Sequence, residues 1–324
     1  MLSSLMAIIV GLVLVNAVKP GVGLDISNLQ AINFNEEQKS MMDTFLGIIP
    51  KNIFQSFAEG DMLPIIFFSL LFGFFINKVE HKSSDFLKQF FLSVFEVMMK
   101  ITLFILRFAP LGVLGILTNT FAEQTDILAL LLKLLKFTLL VIGGLFIHFT
   151  ITLSIALYTV GKVNPLKHMK AMLTPILTAF STSSSNGTLP VTIETVEKNA
   201  GVSNRIASFS LPLGATINMD GTALYELVAA GFVAQAYGIE LSLGAQLVMV
   251  ATALLASIGT AAIPMASLVT MAIIFEAVGL PLEGIALIVP VHNILDMFRT
   301  PTNVYSDTCC AVIVAKSESE DLKY

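Results

Sequence analysis

The chain has 324 residues, of which 55% are hydrophobic and only 13% charged, and its net charge is −5. The mean hydropathy of +0.84 is far above the value for a soluble domain, and several runs reach the roughly 20 apolar residues that cross a bilayer. This composition excludes a soluble globular protein and predicts an all-α, multi-pass membrane protein. The acidic balance, without a Lys- or Arg-rich run, argues against nucleic acid as a partner.

The first half of the sequence alternates apolar spans with polar connections. The spans lie at 1–18, 61–77, 86–121 and 127–160, and a polar stretch fills 19–60. Because the sequence begins inside the first apolar span, we expect either an upstream start or a fragment.

The distribution of lysines predicts the orientation in the membrane. The loop at 77–88 and the loop after Gly161 each carry three lysines, whereas the connections 121–126 and 236–246 hold acidic residues and neither Lys nor Arg. The positive-inside rule therefore places the lysine-bearing loops and the C-terminus in the cytoplasm.

The pattern changes after residue 165. Two helical pieces at 166–182 and 188–198, each too short to span, flank a polar tip at 183–187. We interpret them as a re-entrant hairpin, whose tip at membrane depth requires protein or water to satisfy its backbone. The next span, 203–237, is broken at 218–221.

The same arrangement then repeats. Two short pieces surround a second tip at 257–264, and a polar-studded span follows at 283–315. A hairpin followed by a broken helix, twice, is typical of inverted-repeat transporters, and interrupted segments of this kind indicate a midplane binding site. The alternative is a helical bundle with incidental glycines, but the breaks coincide with charges inside the membrane.

Charged residues inside a bilayer are costly, by at least about 2.5 kcal/mol each at the centre, so each requires a reason. In the last span, polar residues recur at intervals of three, one, three and four, which places them on one helix face: Asp296, Arg299, Thr300, Asn303 and Asp307. Pro301 lies among them and is predicted to kink the helix and free carbonyls for a cation.

Arg299 is a guanidinium fork suited to a substrate carboxylate, and Asp296, one turn earlier, suits an ammonium group. The alternative is that these two side chains only pair with each other. Asp220 and Asp307 are predicted oxygen ligands for small cations, together with carbonyls of the unwound 218–221 segment.

The charge count points to cation coupling. Four carboxylates (Asp220, Glu226, Asp296 and Asp307) and one guanidinium (Arg299) leave a net charge of −3 in the last two spans. Buried charge must be paired or neutralised, so bound cations and a proton are expected there.

Three strings carry a specific resemblance: Ser183-Ser-Ser-Asn-Gly-Thr-Leu-Pro190, Asn218-Met-Asp-Gly-Thr222 and Asp296-Met-Phe-Arg-Thr-Pro-Thr-Asn303, with Asp307 beyond. They resemble the dicarboxylate/amino acid:cation symporter family, which includes the glutamate transporters, over essentially the whole chain. The resemblance implies two re-entrant hairpins, a homotrimer in the full-length protein, and an elevator movement of a transport domain against a scaffold in the cell (inner or plasma) membrane.

Residue by residue, the resemblance implies a substrate site and several sodium sites, with no organic cofactor. The implied substrate residues are Ser184, Ser185, Thr222, Ile263, Asp296, Arg299, Thr300 and Asn303. The implied sodium ligands are Ser3, Ser4, Gly214, Thr216, Asn218, Met219, Asp220, Ser257, Ile258, Thr260, Asn303 and Asp307.

The resemblance also assigns seven parts to the chain. They are a partial first transport-domain helix (1–18), scaffold-like helices and loops (19–121), a transport-domain helix (122–160), hairpin 1 (161–200), the broken helix (201–240), hairpin 2 (241–280), and the last helix with a cytoplasmic tail (281–324). The family's two whole helices and part of a third before Ser3 are absent, which puts the scaffold and the trimer in doubt.

Family members for neutral amino acids lack the arginine at position 299, and C4-dicarboxylate members lack the acid at position 296. This chain has both, which favours sodium-coupled symport of aspartate or glutamate over the two alternatives.

Glu226 is a predicted proton carrier. Its carboxyl shares a helix face with Thr222, lies among apolar residues, and has no fixed cation evident beside it. The alternative is a permanently protonated hydrogen-bond donor that locks helix packing.

An intramembrane aspartyl protease and a cation channel are the two alternatives from other classes of protein. An intramembrane aspartyl protease would use Asp220 and Asp307 as a proton-sharing pair, but both lie among Asn, Thr and Gly that suit cations. A cation channel would conduct without substrate. The chain is therefore predicted to be a transporter and not an enzyme.

Overall fold

The computed structural model describes residues 1–24, 49–59, 62–108, 111–112, 114–115, 118, 127–259 and 266–323. All regular secondary structure in these residues is helical. The chain divides into two compact units, one of Met1–Ala31 with Thr125–Tyr324 and the other of Ile32–Gln124.

In the residues that the structure describes, the second unit contains three helices, which follow the first helix of the chain, α1 (Leu2–Val18), and belong to the predicted scaffold region. They are α2 (Ile53–Glu59), α3 (Met62–Ile76) and α4 (His81–Leu106). Many of their phenylalanines are exposed, and rings of α3 and α4 meet edge-on at Phe72 and Phe91. The predicted span at 86–121 is helical as far as Leu106, and much of its remainder lies outside the described residues.

The larger unit is organised around α11 (Asp220–Ala236), which is buried along almost its entire length. The first helix, α1 (Leu2–Val18), packs directly against it. Two glycines allow this close approach. A Cβ atom on Gly11 would lie 3.1 Å from the Leu224 carbonyl oxygen, and one on Gly231 would lie 2.8 Å from Val15 Cγ2. This contact brings the serines at the start of α1 to the start of α11.

The predicted span at 127–160 is one long apolar helix. It runs as α5 (Ile127–Ile147), one π-helical turn (His148–Thr152) and α6 (Leu153–Thr159). Its segment Leu128–Thr159 is the one helix of the described residues that is long and apolar enough to cross a membrane, by length and composition. The π turn adds a residue to the helix, as is frequent at functional sites, and its first residue, His148, is completely buried.

The first predicted hairpin consists of short helices that pack against one another. After α7 (Pro165–Ala171), helix α8 (Leu173–Thr182) ends at Ser183, which adopts left-handed backbone angles. Ser184 then caps α9 (Ser185–Thr195), because its Oγ accepts a hydrogen bond from Gly187 N. The re-entrant position of this pair in a membrane stays a prediction.

The remaining elements follow the predicted order. A π-helical turn (Val196–Ala200) leads to α10 (Asn204–Ile217), and the chain unwinds at Asn218 and Met219 before α11. The break predicted at 218–221 is present but shorter, because Asp220 and Gly221 already belong to α11. Then come α12 (Leu243–Gly259), α13 (Ala266–Ala277), a 3₁₀ turn (Leu282–Gly284) and α14 (Ile285–Ser317). Of the second predicted tip, 257–264, the first three residues belong to the end of α12, and 260–264 lie outside the described residues. Helix α14 continues through Pro290 and Pro301, and the predicted kink stays a prediction.

Residues 318–323 fold back onto the turn between the π-helical residues and α10. Lys323 N donates to Ala200 O at 2.9 Å, and Ser203 N donates to Glu320 Oε2 at 2.9 Å. Hydrogen bonds from Ser203 hold the pKa of the Glu320 carboxyl below its usual value. Gly201, at φ +81°, makes the turn that receives Lys323, since a Cβ there would lie 2.9 Å from Lys323 Cγ.

The contact between α1 and α11 predicts a difference between two glycines. Gly231→Ala should lower the free energy of unfolding by about 1–3 kcal/mol, because its methyl group overlaps the stiff, buried Val15 side chain. Gly143→Ala is the matched control, since its Cβ would meet nothing within 4 Å and alanine favours a helix by roughly 0.5–1 kcal/mol. Thermal unfolding in detergent measures both, and equal midpoints would contradict the packing described here.

Candidate ion and substrate site

Asp220 is the centre of a buried group of oxygen atoms that we call the carboxylate cluster: Ser3, Ser4, His148, Asn218, Asp220, Ser306 and Asp307. The Asp220 side chain is completely buried at the first residue of α11. Its Oδ1 accepts a hydrogen bond from Ser4 Oγ at 2.7 Å, and its Oδ2 accepts one from Ser306 Oγ at 2.6 Å. His148 Nε2 lies 3.0 Å from the same Oδ2.

Asn218 connects the second carboxylate to this group. Its Nδ2 donates to Asp307 Oδ1 at 3.0 Å and to Ser306 Oγ at 2.9 Å, and its Oδ1 accepts from Ser3 Oγ at 2.7 Å. Asp307 lies directly on the backbone of α10, because a Cβ on Gly214 would be 2.6 Å from Asp307 Oδ1. The predicted sodium ligands Ser3, Ser4, Gly214, Asn218, Asp220 and Asp307 therefore lie together.

The break between α10 and α11 places the C-terminal end of α10 next to the cluster, because Asn218 caps that helix and contacts Asp307. The last four carbonyls of a helix have no partner in their own helix, and at the end of α10 they belong to residues 214–217, of which Gly214 O accepts from Asn218 N at 2.8 Å. The Thr216 hydroxyl is turned to its own helix and donates to Leu213 O at 2.8 Å. Met219 is buried at the break.

The donor set of the carboxylate cluster suits a small hard cation. Hydroxyl, amide, carbonyl and carboxylate oxygens are the ligands that such ions take in proteins, whereas transition metals favour His and Cys. The described residues hold no group of three or more His, Cys, Asp or Glu side chains that could bind a metal ion.

His148 and Ser306 are the two residues of this cluster that the sequence prediction missed. His148 is completely buried, and it contacts the Asp220 carboxylate. The predicted net charge of −3 therefore omits an ionisable side chain that contacts Asp220. An ionisable side chain inside a long apolar span is itself a signal of function, and this signal was available in the sequence.

A second buried group, the arginine cluster, surrounds the guanidinium of α14: Tyr225, Glu226, Thr270, His292, Asp296 and Arg299. Arg299 is 1% exposed, and its Nη2 lies 2.8 Å from Asp296 Oδ1. Its Cζ lies 4.2 Å from the centroid of the Tyr225 ring. The pairing that the sequence left open as an alternative is thus present. However, Arg299 Nε and Nη1 have no hydrogen-bond partner in the described part of the chain, so the pair does not satisfy the guanidinium.

Asp296 opens toward the surface of the protein, since its side chain is 32% exposed. Thr300 Oγ1 donates to it at 3.4 Å. Next to this pair, Asn303 joins α14 to α11: its Oδ1 accepts from Gly221 N at 2.7 Å and its Nδ2 donates to Thr222 Oγ1 at 3.2 Å. The predicted substrate residues of α11 and α14 therefore form two groups of contacts, one of Asp296, Arg299 and Thr300 and one of Thr222 and Asn303.

Glu226 lies deeper and is 1% exposed. Its Oε1 accepts a short hydrogen bond from Thr270 Oγ1 of α13, and its Oε2 has no partner among the described residues. The expectation that no fixed cation lies near Glu226 was wrong. Packing of α14 against α11 makes Arg299 an electrostatic neighbour of this carboxyl, a long-range contact that the order of residues does not reveal.

The predicted site residues of the two hairpin tips differ in how much of them the structure describes. Phe180, three residues before the first tip, packs edge-on against Phe298 of α14, with the ring centroids 5.3 Å apart. The Ser184 hydroxyl caps α9 by accepting a hydrogen bond, and Ser185 is the first residue of that helix. Thr260 and Ile263 lie outside the described residues, and Ser257 and Ile258 belong to α12, where only the backbone is described.

A helix that breaks in the middle, with carboxylate, amide and hydroxyl oxygens at the break and a buried guanidinium in the last helix, is typical of membrane transporters that couple a solute to an ion. The chain belongs to the sodium:dicarboxylate symporter family, whose sequence profile matches residues 1–317. It is accordingly a multi-pass membrane protein, and the intramembrane protease alternative is wrong.

The names of individual relatives agree with this family. Excitatory amino acid transporter 1 of Bos taurus is 42% identical over 261 residues, which cover 81% of this chain and 48% of that protein. The proton/glutamate-aspartate symporter of Escherichia coli (strain K12) is 37% identical over 328 residues, covering 96% and 73%. The proton/sodium-glutamate symport protein of Geobacillus stearothermophilus is 35% identical over 325 residues, covering 97% and 75%. The chain spans about half the length of the excitatory amino acid transporters that it matches.

Proposed function

We propose that this chain carries the substrate and cation sites of a sodium-coupled symporter for acidic amino acids. The observation that carries the proposal is Arg299, a buried guanidinium with two nitrogens unsatisfied in the described residues, next to a carboxylate that is one-third exposed. A substrate carboxylate would take the free guanidinium hydrogens, and Asp296 would take the substrate ammonium group. The names of the two bacterial relatives, which specify glutamate or aspartate, support this substrate class.

Neutral amino acids and C4-dicarboxylates are the alternative substrates. With Arg299 bound to the side-chain carboxylate of the substrate, a neutral amino acid would leave the guanidinium hydrogens buried without a partner. A dicarboxylate would meet the Asp296 carboxylate with a second negative charge. Each mismatch is unfavourable in a buried site, so an amino acid with an acidic side chain fits both residues best.

Sodium is proposed to bind at the carboxylate cluster. Asp220 and Asp307 bring two carboxylates close together in a buried region, and the neighbouring oxygens of Ser3, Ser4 and Asn218 can turn toward an ion. A bound cation would offset the repulsion between the carboxylates and supply the charge that the sequence count requires. Further ligands proposed from the resemblance are Gly214, Thr216, Met219, Asn303 and the second hairpin at Ser257, Ile258 and Thr260.

Coupling to a proton is proposed at Glu226. The carboxyl is buried next to the substrate-facing residues and makes one hydrogen bond, to a hydroxyl of α13. A carboxyl that is neutral with substrate bound and ionised during the return step would move one proton per cycle. Two relatives are named as proton-coupled symporters, which supports this assignment. A homotrimer and an elevator movement are proposed from the resemblance alone.

Removing the space beside Asp307 tests the sodium site. Gly214→Ala should weaken sodium binding by about tenfold or more, because the new methyl group would lie within 3 Å of the Asp307 carboxylate and displace it. Sodium titrations of substrate binding measure the change, with Gly143→Ala as the control that adds the same methyl group to open space. An unchanged sodium affinity in Gly214→Ala would rule out Asp307 as a ligand.

Replacing the guanidinium tests the substrate class. Arg299→Cys should weaken aspartate binding by about 10² or more, because a buried carboxylate left unpaired costs about 3–5 kcal/mol, and should allow neutral amino acids to bind. The control Arg205→Cys removes an arginine that pairs with Glu318 at an exposed site and should not alter binding. A change of less than threefold in Arg299→Cys would contradict the assignment.

Neutralising Glu226 separates a proton carrier from a packing role. Glu226→Gln should keep exchange of internal for external aspartate in proteoliposomes but lose net uptake and its dependence on pH. Glu283→Gln, at an exposed carboxylate, should leave both unchanged. Survival of net uptake with its pH profile in Glu226→Gln would show that coupling is to sodium alone.

A further inference from the structure

The arginine cluster contains two residues that the proposed function does not use, Tyr225 and His292. On α14, His292 lies four residues before Asp296 and seven before Arg299, so all three side chains share one helix face. His292 is 1% exposed and Tyr225 is completely buried. Both are polar side chains in an apolar interior, where polar groups need a specific partner.

Their partner is each other. Tyr225 Oη lies 3.1 Å from His292 Nδ1, and the two ring centroids are 5.8 Å apart. The ring of Tyr225 is also the surface next to the Arg299 guanidinium, at 4.2 Å from its Cζ. A continuous chain of contacts therefore runs from His292 through Tyr225 to Arg299.

This series of contacts matters because Asp296 is the one side chain of the described residues that is ion-paired with Arg299. In the proposed function Asp296 turns to the substrate ammonium group, and its hold on the guanidinium weakens at that moment. The Tyr225 ring remains, since a guanidinium over an aromatic face is attracted by about 0.5–2 kcal/mol. The position of that ring is held at its hydroxyl, which contacts His292.

We propose that His292 is a positioning residue, which acts through Tyr225 to keep the Arg299 guanidinium aligned for the substrate carboxylate when Asp296 binds the ammonium group. The inference rests on the proposed function. In this arrangement the Tyr225 hydroxyl donates to an unprotonated Nδ1, because an imidazolium would place a second positive charge beside Arg299. Donation of this hydrogen bond also makes the tyrosine ring more electron-rich, and thus a better surface for a cation.

The test is aspartate binding to the full chain in detergent, with sodium binding measured separately in the absence of aspartate. His292→Leu and Tyr225→Phe should each weaken aspartate binding by about tenfold, as expected when one buried hydrogen bond is lost, and leave sodium affinity within twofold. His292→Asn should restore binding to within about threefold of the unsubstituted chain, because its Oδ1 can accept a hydrogen bond near the place of Nδ1. The double variant His292→Leu/Tyr225→Phe should be no weaker than either single variant, since both remove the same bond.

Two controls separate positioning from general stability. Gln235→Leu removes hydrogen bonds to Gly21 and Val15 from the same helix as Tyr225, away from Arg299, and should lower the unfolding midpoint without changing aspartate binding. In an Arg299→Cys background, His292→Leu should have no further effect on ligand selectivity.

Three results would overturn the proposal: aspartate binding within twofold of normal in both His292→Leu and Tyr225→Phe, an equal fall in sodium affinity, or no rescue by His292→Asn. Tyr225→Phe keeps the packing of the ring, so it remains informative if His292→Leu does not fold. Absence of aspartate binding by the unsubstituted chain is a distinct outcome, which overturns the proposed function and this inference with it.

Discussion

A carboxylate in an apolar interior must be neutralised or paired, and the larger unit of this protein is built around that constraint. Asp220 and Asp307 are both buried, and helices from distant parts of the sequence each bring a polar atom to the pair of carboxylates: serines from α1, a histidine from the long apolar helix, an asparagine from the break before α11, and a serine from α14. The break follows from the same requirement, because in an apolar interior only unwound backbone and helix ends present backbone N–H and C=O groups that are free to bind.

Close backbone packing makes this convergence possible. Gly11 and Gly231 let α1 lie against α11, and Gly221 lets α14 do so, since a Cβ there would be 2.7 Å from the Arg299 carbonyl oxygen. With larger residues at these positions, the hydroxyl of Ser4 and the amide of Asn303 would not reach α11. The glycines thus determine which polar atoms come together in the site, although glycine itself has no side chain that could bind a ligand.

The sequence predicted the parts of the site that are encoded locally. The break predicted at 218–221 follows from a polar string inside an apolar span, although the structure limits it to Asn218 and Met219. The shared face of Asp296, Arg299 and Asn303 follows from helical spacing. Pairings between helices were not predictable in this way. His148 and Asp220 are 72 residues apart and Tyr225 and His292 are 67 apart, so only the packed structure shows that each histidine has a specific partner.

The docked residues 318–323 have a consequence for how the hairpin region is stiffened. They lie beyond the residues that the family profile matches, yet they tie the end of α14 to the turn that joins the first hairpin to α10 through Ala200, Ser203 and Arg205. At this end of the unit the backbone is therefore closed into a loop by hydrogen bonds and not by a covalent link. A force applied to the last helix would be transmitted to the base of the hairpin without passing through the binding site. The last helix and the hairpin would therefore move together.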